Sequence, residues 1–213
     1  MKRLAAIALA AVMMSAAVAS TAQAGEWTAT NKKYPLTVTG GQTVAFSIVA
    51  GPRTITCSTI SFEATIKAVS FNLPTTPKFE KCKANGGLGA TVLVNGCKFG
   101  LTGGALAHGE LRIECPFLTS LEIPIYASEF ADGEGKAAVC TLKYASQGPE
   151  QNITWTNEGF GNATEVKGEV AVKLKYTVAG NEGVCGAAGT GEIKGTTTMT
   201  GEVGMGAEGV DIG

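Results

Sequence analysis

Beyond residue 24 the chain alternates apolar and polar positions with period two. Val44, Phe46 and Ile48 alternate with Thr43, Ala45 and Ser47, and Val69, Phe71 and Leu73 repeat the pattern. The clearest case sets Val170, Val172, Leu174, Tyr176 and Val178 against Glu169, Ala171, Lys173, Lys175 and Thr177. Residues two apart share a face of a strand, so these segments predict strands with one dry and one wet face, the habit of antiparallel sheets. Leu121, Ile123 and Ile125 alternate as well. Pro124 lies among them and lacks a ladder donor, which places that strand at a sheet edge.

Two slips of parity carry further information. Ile55 and Cys57 are odd, whereas Ile60, Phe62, Ala64 and Ile66 are even. A bulge near Ser58-Thr59 keeps both sets facing inward. Val92 and Val94 are even, whereas Cys97, Phe99 and Leu101 are odd, and Asn95-Gly96 sits at the switch. Asn-Gly favours positive φ and predicts a tight turn or a bulge there. No segment after residue 24 has helical periodicity. Turn residues recur at Gly40-Gly41, Gly86-Gly87, Gly103-Gly104, Asp132-Gly133 and Gly180-Asn181. About ten strands with recurring turns predict an all-β fold, a single antiparallel β-sandwich or barrel-like domain. The last strand begins within the Gly-rich run from Gly189, where Ile193, Met199 and Val203 share parity, and a short tail follows it. No Pro-rich, Ser-rich or charged linker divides residues 25–213, which read as one domain.

Residues 1–24 follow a different rule. Lys2 and Arg3 precede an apolar and small-residue run from Leu4 to Ala19, and Ala22-Gln23-Ala24 offers small residues at a cleavage site. This is the three-part pattern of a secretory signal peptide, with cleavage expected after Ala24. The run is too short for a spanning helix, and no later stretch is long and apolar enough for one, so no membrane span is expected after cleavage. The formal net charge is −1, and losing Lys2 and Arg3 makes it more negative. That balance gives no basis for nucleic-acid binding.

Six cysteines lie beyond the signal: Cys57, Cys82, Cys97, Cys115, Cys140 and Cys185. None are spaced as a C-x-x-C pair, and His108 is the single histidine, so zinc-type sites are disfavoured and no metal or other cofactor is expected. An even number behind an export signal predicts three disulfides. Four of these cysteines (57, 97, 115 and 140) share parity with apolar neighbours, which predicts buried, inert bridges. Sequence does not choose among the many pairings. The local reading is Cys82–Cys97 across a short loop and Cys115–Cys140 between neighbouring strands, which leaves Cys57–Cys185 by elimination.

The order Thr56-Cys57-Ser58, Asn95-Gly96-Cys97-Lys98-Phe99, Ile113-Glu114-Cys115-Pro116, Cys140-Thr141-Leu142 and Cys185 ahead of Gly191-Glu192-Ile193-Lys194-Gly195 resembles a group of secreted six-cysteine β-rich proteins of unknown function, present in many copies in soil actinobacteria. The resemblance covers nearly all of residues 25–213. It implies an exported, disulfide-bonded β protein and supplies no catalytic residue.

Little in the chain points to chemistry. A nucleophile triad needs a base; His108 is the one candidate, in what reads as a loop, and no Gly-x-Ser-x-Gly elbow is present. Glu110, Glu114 and Glu122 have parity opposite to the apolar faces and read as solvated rather than as a paired acid and base. Asp132-Gly133-Glu134-Gly135 falls short of a calcium loop. Lys78, Lys81, Lys83 and Lys98 become neighbours if Cys82 and Cys97 are bonded, and such a patch suits an anionic cell-wall polymer. Trp155 shares parity with Ile153 and reads as core; Trp27 reads as exposed. The expectation is a secreted or cell-envelope, non-catalytic binding or interaction module whose partner is a cell-wall polymer or another surface protein. The rival readings are a structural or assembly subunit of a surface fibre, with the Gly25 to Val38 segment as a donor strand, an extracellular hydrolase, and an inhibitor or toxin-like module.

Overall fold

A computed structural model describes residues 25–103, 108–128, 137–159, 164–204 and 206–212, apart from the side chains of 43–45. The expected signal segment and the Asp132-Gly133 segment lie outside the described residues. The strands are β1 (Trp27–Ala29), β2 (Leu36–Ala50), β3 (Arg53–Ile66), β4 (Asn72–Ala84), β5 (Leu88–Ala90), β6 (Lys98–Gly103) and β7 (His108–Glu114). They continue as β8 (Leu121–Tyr126), β9 (Cys140–Tyr144), β10 (Gln147–Glu158) and β11 (Glu165–Gly180). After one helical turn, α1 (Glu182–Cys185), come β12 (Gly189–Val203), β13 (Gly206–Glu208) and β14 (Val210–Ile212). The protein is all-β and antiparallel, as the alternation predicts.

The sheet closes on itself. Pairing runs β2–β3–β4–β6–β7–β10–β11–β12 and back to β2, a ring of eight strands. A second route joins β4 to β11 through β5, β8 and β9. The long strands β4 and β11 change partner along their length. Asn72–Thr75 of β4 pairs with β6, and Lys83–Ala84 with β5. Glu165–Val170 side by side with β10 gives way to Thr177–Gly180 beside β9. Two rings therefore share β2, β3, β4, β11 and β12: a lower one completed by β6, β7 and β10, and an upper one completed by β5, β8 and β9. Closure leaves no unpaired edge along these walls.

Irregularities gather where the rings meet. β3 turns Ser58 and Thr59 outward in succession, and β4 does the same with Glu80 and Lys81, the latter at φ 49°. The Ser58 hydroxyl donates to the Glu80 carbonyl at 3.2 Å. The bulge expected at Ser58-Thr59 is thus shared by two neighbouring strands, and both apolar sets stay inside. Asn95 and Gly96 take φ 51° and 77°, and the Cys97 amide donates to the Val94 carbonyl, which makes the tight turn.

Several expectations are corrected. The disulfides are Cys57–Cys82, Cys97–Cys115 and Cys140–Cys185, so none of Cys82–Cys97, Cys115–Cys140 and Cys57–Cys185 forms. Cys57 and Cys82 face each other directly across β3 and β4. Cys97 and Cys115 are the next residues beyond the Lys98–Glu114 pair of β6 and β7. Cross-strand register, not shortness of the loop, decides both. Asn181 caps α1 by accepting from the Gly183 amide at 2.9 Å, and this turn aims Cys185 at the start of β9. The buried sulfurs belong to Cys57, Cys97, Cys140 and Cys185, while Cys115 and Cys82 are half-buried.

The strand holding Pro124 is not an edge: β8 has β9 on one side and β5 on the other. Its proline costs one ladder bond and no more: the Thr91 amide still donates to the Pro124 carbonyl at 3.2 Å, and the Leu93–Glu122 bridge follows on the same side. Val69 and Phe71 are exposed in the link between β3 and β4, and only Leu73 of that trio is buried. The run from Gly189 does not end in a loose tail, because β14 pairs with β1. Residues 27–29 and 36–38 are thereby held within their own chain, so the proposed donor strand is already used.

Candidate functional site

The lower ring encloses a cavity of about 50 Å³. All eight of its strands contribute to the wall, and no charged side chain lines it. Phe46, Phe62, Phe79 and Phe99 supply rings, with Phe79 and Phe99 edge to face at 6.3 Å between centroids. Leu111 and Ile193 fill the opposite side, and Trp155 lies at the floor.

Glycine shapes this lumen. Gly40, Gly109, Gly168 and Gly195 share parity with inward-facing residues of their strands. A Cβ on Gly40 would fall inside the Phe62 ring, and one on Gly195 inside the Phe46 ring. Gly168 and Gly109 do the same for the Trp155 indole. Phe62 and Gly40, like Trp155 and Gly168, are direct cross-strand partners. The rings lie back against bare backbone, and the space before them remains open. The 29 glycines of the sequence thus include a set that interior packing requires and turn geometry does not.

The floor is a pair of indoles. Trp27 and Trp155 meet edge to face at 5.1 Å, and both are fully buried. Their N–H groups donate to successive carbonyls of β6, Leu101 at 3.0 Å and Thr102 at 3.1 Å. Trp155 is core, as its parity predicts. Trp27 is the reverse of its expected exposure: the β1–β14 ribbon, bridged to Ser70, presses it under the ring.

Ionisable groups are mostly outside. His108 is exposed at the first position of β7, not in a loop, and is paired in register with Thr154. Glu114 lies 3.7 Å from Arg112, Glu122 is 2.9 Å from Lys143, and Glu110 accepts from Gln151 at 3.3 Å. The three do not converge. Among the described residues, no three His, Cys, Asp or Glu side chains come together as metal ligands. Because Cys82 and Cys97 are not bonded, the four lysines lose the link that was to gather them, and Lys78 lies 3.6 Å from Glu80. Glu208, unmarked in the sequence, is buried and accepts from the Asn31 amide at 2.7 Å, tying β13 to the turn after β1.

The upper ring holds a buried phenol. Tyr144 packs against Tyr176 at 5.9 Å, and its hydroxyl has no hydrogen-bond partner among the described residues. Burial, and secondarily Tyr176, pushes its ionisation well above the usual tyrosine range. The unfolded chain ionises this group near about pH 10, before the folded protein does. Stability from this source is therefore complete below that pH and falls as pH rises beyond it. Tyr144→Phe should leave neutral-pH stability unchanged or raise it by up to about 1 kcal/mol. It should also flatten the alkaline decline, as urea unfolding between neutral pH and the phenol range will show.

No family model, curated protein or solved structure matches this chain. The site rests on its own geometry. No helix among the described residues is long and apolar enough to cross a membrane.

Proposed function

We propose that the protein is an exported, non-catalytic binding module whose eight-stranded lumen receives a small apolar group. The observation that carries this reading is the uncharged cavity enclosed by every strand of the lower ring. Barrels of this strand number have interiors just wide enough for side chains or one small ligand, and binding sites are typically concave and apolar. Volume narrows the guest. At about 50 Å³ the cavity is a third of the roughly 150 Å³ space that holds benzene in an engineered core. A chain end or another narrow group fits; a fused ring system does not. Three disulfides support the exported setting.

Titration with a series of linear 1-alkanols tests the reading, with Trp155 fluorescence as the readout because that indole lines the cavity. The expected result is a saturable change in the native protein. It should be lost in Gly195→Ala, where the new methyl drives the Phe46 ring into the lumen. Overpacking of this kind costs about 1–3 kcal/mol, so that variant should remain folded while losing its cavity. Absence of a saturable response in the native protein, or an undiminished response in Gly195→Ala, would rule out the lumen as the site.

A further inference from the structure

The lumen is apolar, and the few polar side chains that line it share one property. Among the described residues, Gln42, Thr75, Thr197 and Trp155 are the lining side chains that carry nitrogen or oxygen. Three of them have their protons engaged. The Thr75 hydroxyl donates to the Phe99 carbonyl at 3.1 Å, the Thr197 hydroxyl to the Gly41 carbonyl at 2.9 Å, and the Trp155 indole to the Thr102 carbonyl at 3.1 Å. Gln42 is the fourth. Pairing of β2 with β3 is irregular between Gly41 and Phe46, and the Gln42 side chain reaches across that gap. Its amide nitrogen donates to the Ser58 carbonyl at 2.6 Å and lies 3.5 Å from the Cys57 carbonyl. Carbonyls only accept, so the nitrogen must face them and the oxygen is turned the other way. That oxygen, Oε1, is buried and has no hydrogen-bond partner among the described residues. A buried acceptor left empty is unfavourable, and its presence in a cavity wall calls for a donor on whatever fills the cavity.

We infer that the lumen selects a guest whose narrow end carries a neutral O–H or N–H group, and that Gln42 Oε1 accepts the hydrogen bond from it. This rests on the reading of the lumen as a binding site and names the class of ligand. Neutrality follows from the lining, which holds no charged side chain: an ammonium would be buried without a counter-charge. Direction follows from the engaged protons. An ether, ketone or carboxylate end brings a second acceptor to a wall whose side-chain donors are already bonded to carbonyls. Its own lost hydration would go unreplaced. An alcohol at the end of a narrow apolar stem fits both conditions, and a fatty-acid anion fits neither.

Titration with two isomers tests it, with Trp155 fluorescence again as the readout. 1-Butanol and methyl propyl ether have the same composition and similar size, and only the alcohol can donate. The native protein should bind the alcohol about tenfold more tightly, the difference that one buried acceptor makes when its donor is present or missing. Butanoate should give no saturable response. Gln42→Met keeps an unbranched side chain and removes the acceptor, so it should bind the two isomers alike. The comparison in the native protein needs no variant and stands if Gln42→Met does not fold. No saturable response to either isomer would overturn the lumen reading and this inference together. Equal affinities for the isomers in the native protein would leave the lumen reading in place and overturn the donor requirement, as would butanoate binding as tight as that of the alcohol. A preference for the alcohol that persists in Gln42→Met would overturn the assignment to Gln42.

Discussion

Trp155→Ala should destabilise the protein by about 3–5 kcal/mol, the upper range for removing a buried aromatic side chain. The reason is local. Trp155 is buried, packs edge to face on Trp27, and lies over Gly168 and Gly109. Those glycines have no side chains to move into the space, so the cavity cannot collapse. The Thr102 carbonyl also loses the indole donor that reaches it at 3.1 Å. Trp155→Phe keeps a ring over the glycines but not that bond, and should cost less than half as much. Since small proteins are stable by only about 5–15 kcal/mol in total, the alanine variant should show a much lower urea midpoint. A cost below about 1 kcal/mol in equilibrium unfolding would contradict the packing of the floor.

The second large effect concerns the bridge between Cys140 and Cys185. Replacing both cysteines by alanine should cost roughly 4 kcal/mol in the chain-entropy treatment, because the closed loop is long. The sequence separation is 45 there, against 25 for Cys57–Cys82 and 18 for Cys97–Cys115. The same treatment gives roughly 3–3.5 kcal/mol for each of the shorter loops. Position adds to the contrast. The shorter bridges reinforce hairpins that backbone pairing already holds, whereas Cys140–Cys185 fastens α1 to β9 in the upper ring. Unfolding midpoints of the three double-alanine variants should follow loop length, with Cys140→Ala/Cys185→Ala lowest. The reverse order would mean that native packing around the bridges, not restriction of the unfolded chain, sets their contribution.

The positions of turns between the cysteines carry the signal for two of the three pairings. Gly103-Gly104, a turn in the sequence reading, lies near the midpoint between Cys97 and Cys115. A hairpin centred on Gly103-Gly104 itself sets Cys97 against Glu110; the register of β6 and β7, with Gly103 opposite Gly109, centres on residue 106 and so brings the two cysteines face to face. The segment 67–71 lies likewise between Cys57 and Cys82. Its pattern does not mark a turn, because Val69 and Phe71 extend an apolar alternation into a link where both are exposed. For Cys140 and Cys185 no such midpoint exists, since the bridge depends on one capped helical turn after β11. Trp27 illustrates another limit. Its burial is created by β14, more than 180 residues away in a chain of 213, and no local pattern reports a partner at that distance.

The chain by itself determined the strands and which of their faces are dry, because side-chain direction in extended backbone depends only on parity. It determined as well that Trp155 belongs inside and that Asn95-Gly96 turns the chain. Only the tertiary structure decided which strands meet, and so the closed rings, the three bridges and the lumen. Register between distant segments is set by mutual fit: Phe62 lies where Gly40 makes room, and Phe46 where Gly195 does. A ring and the glycine that accommodates it are far apart along the chain, so neither position announces the other until the sheet has closed.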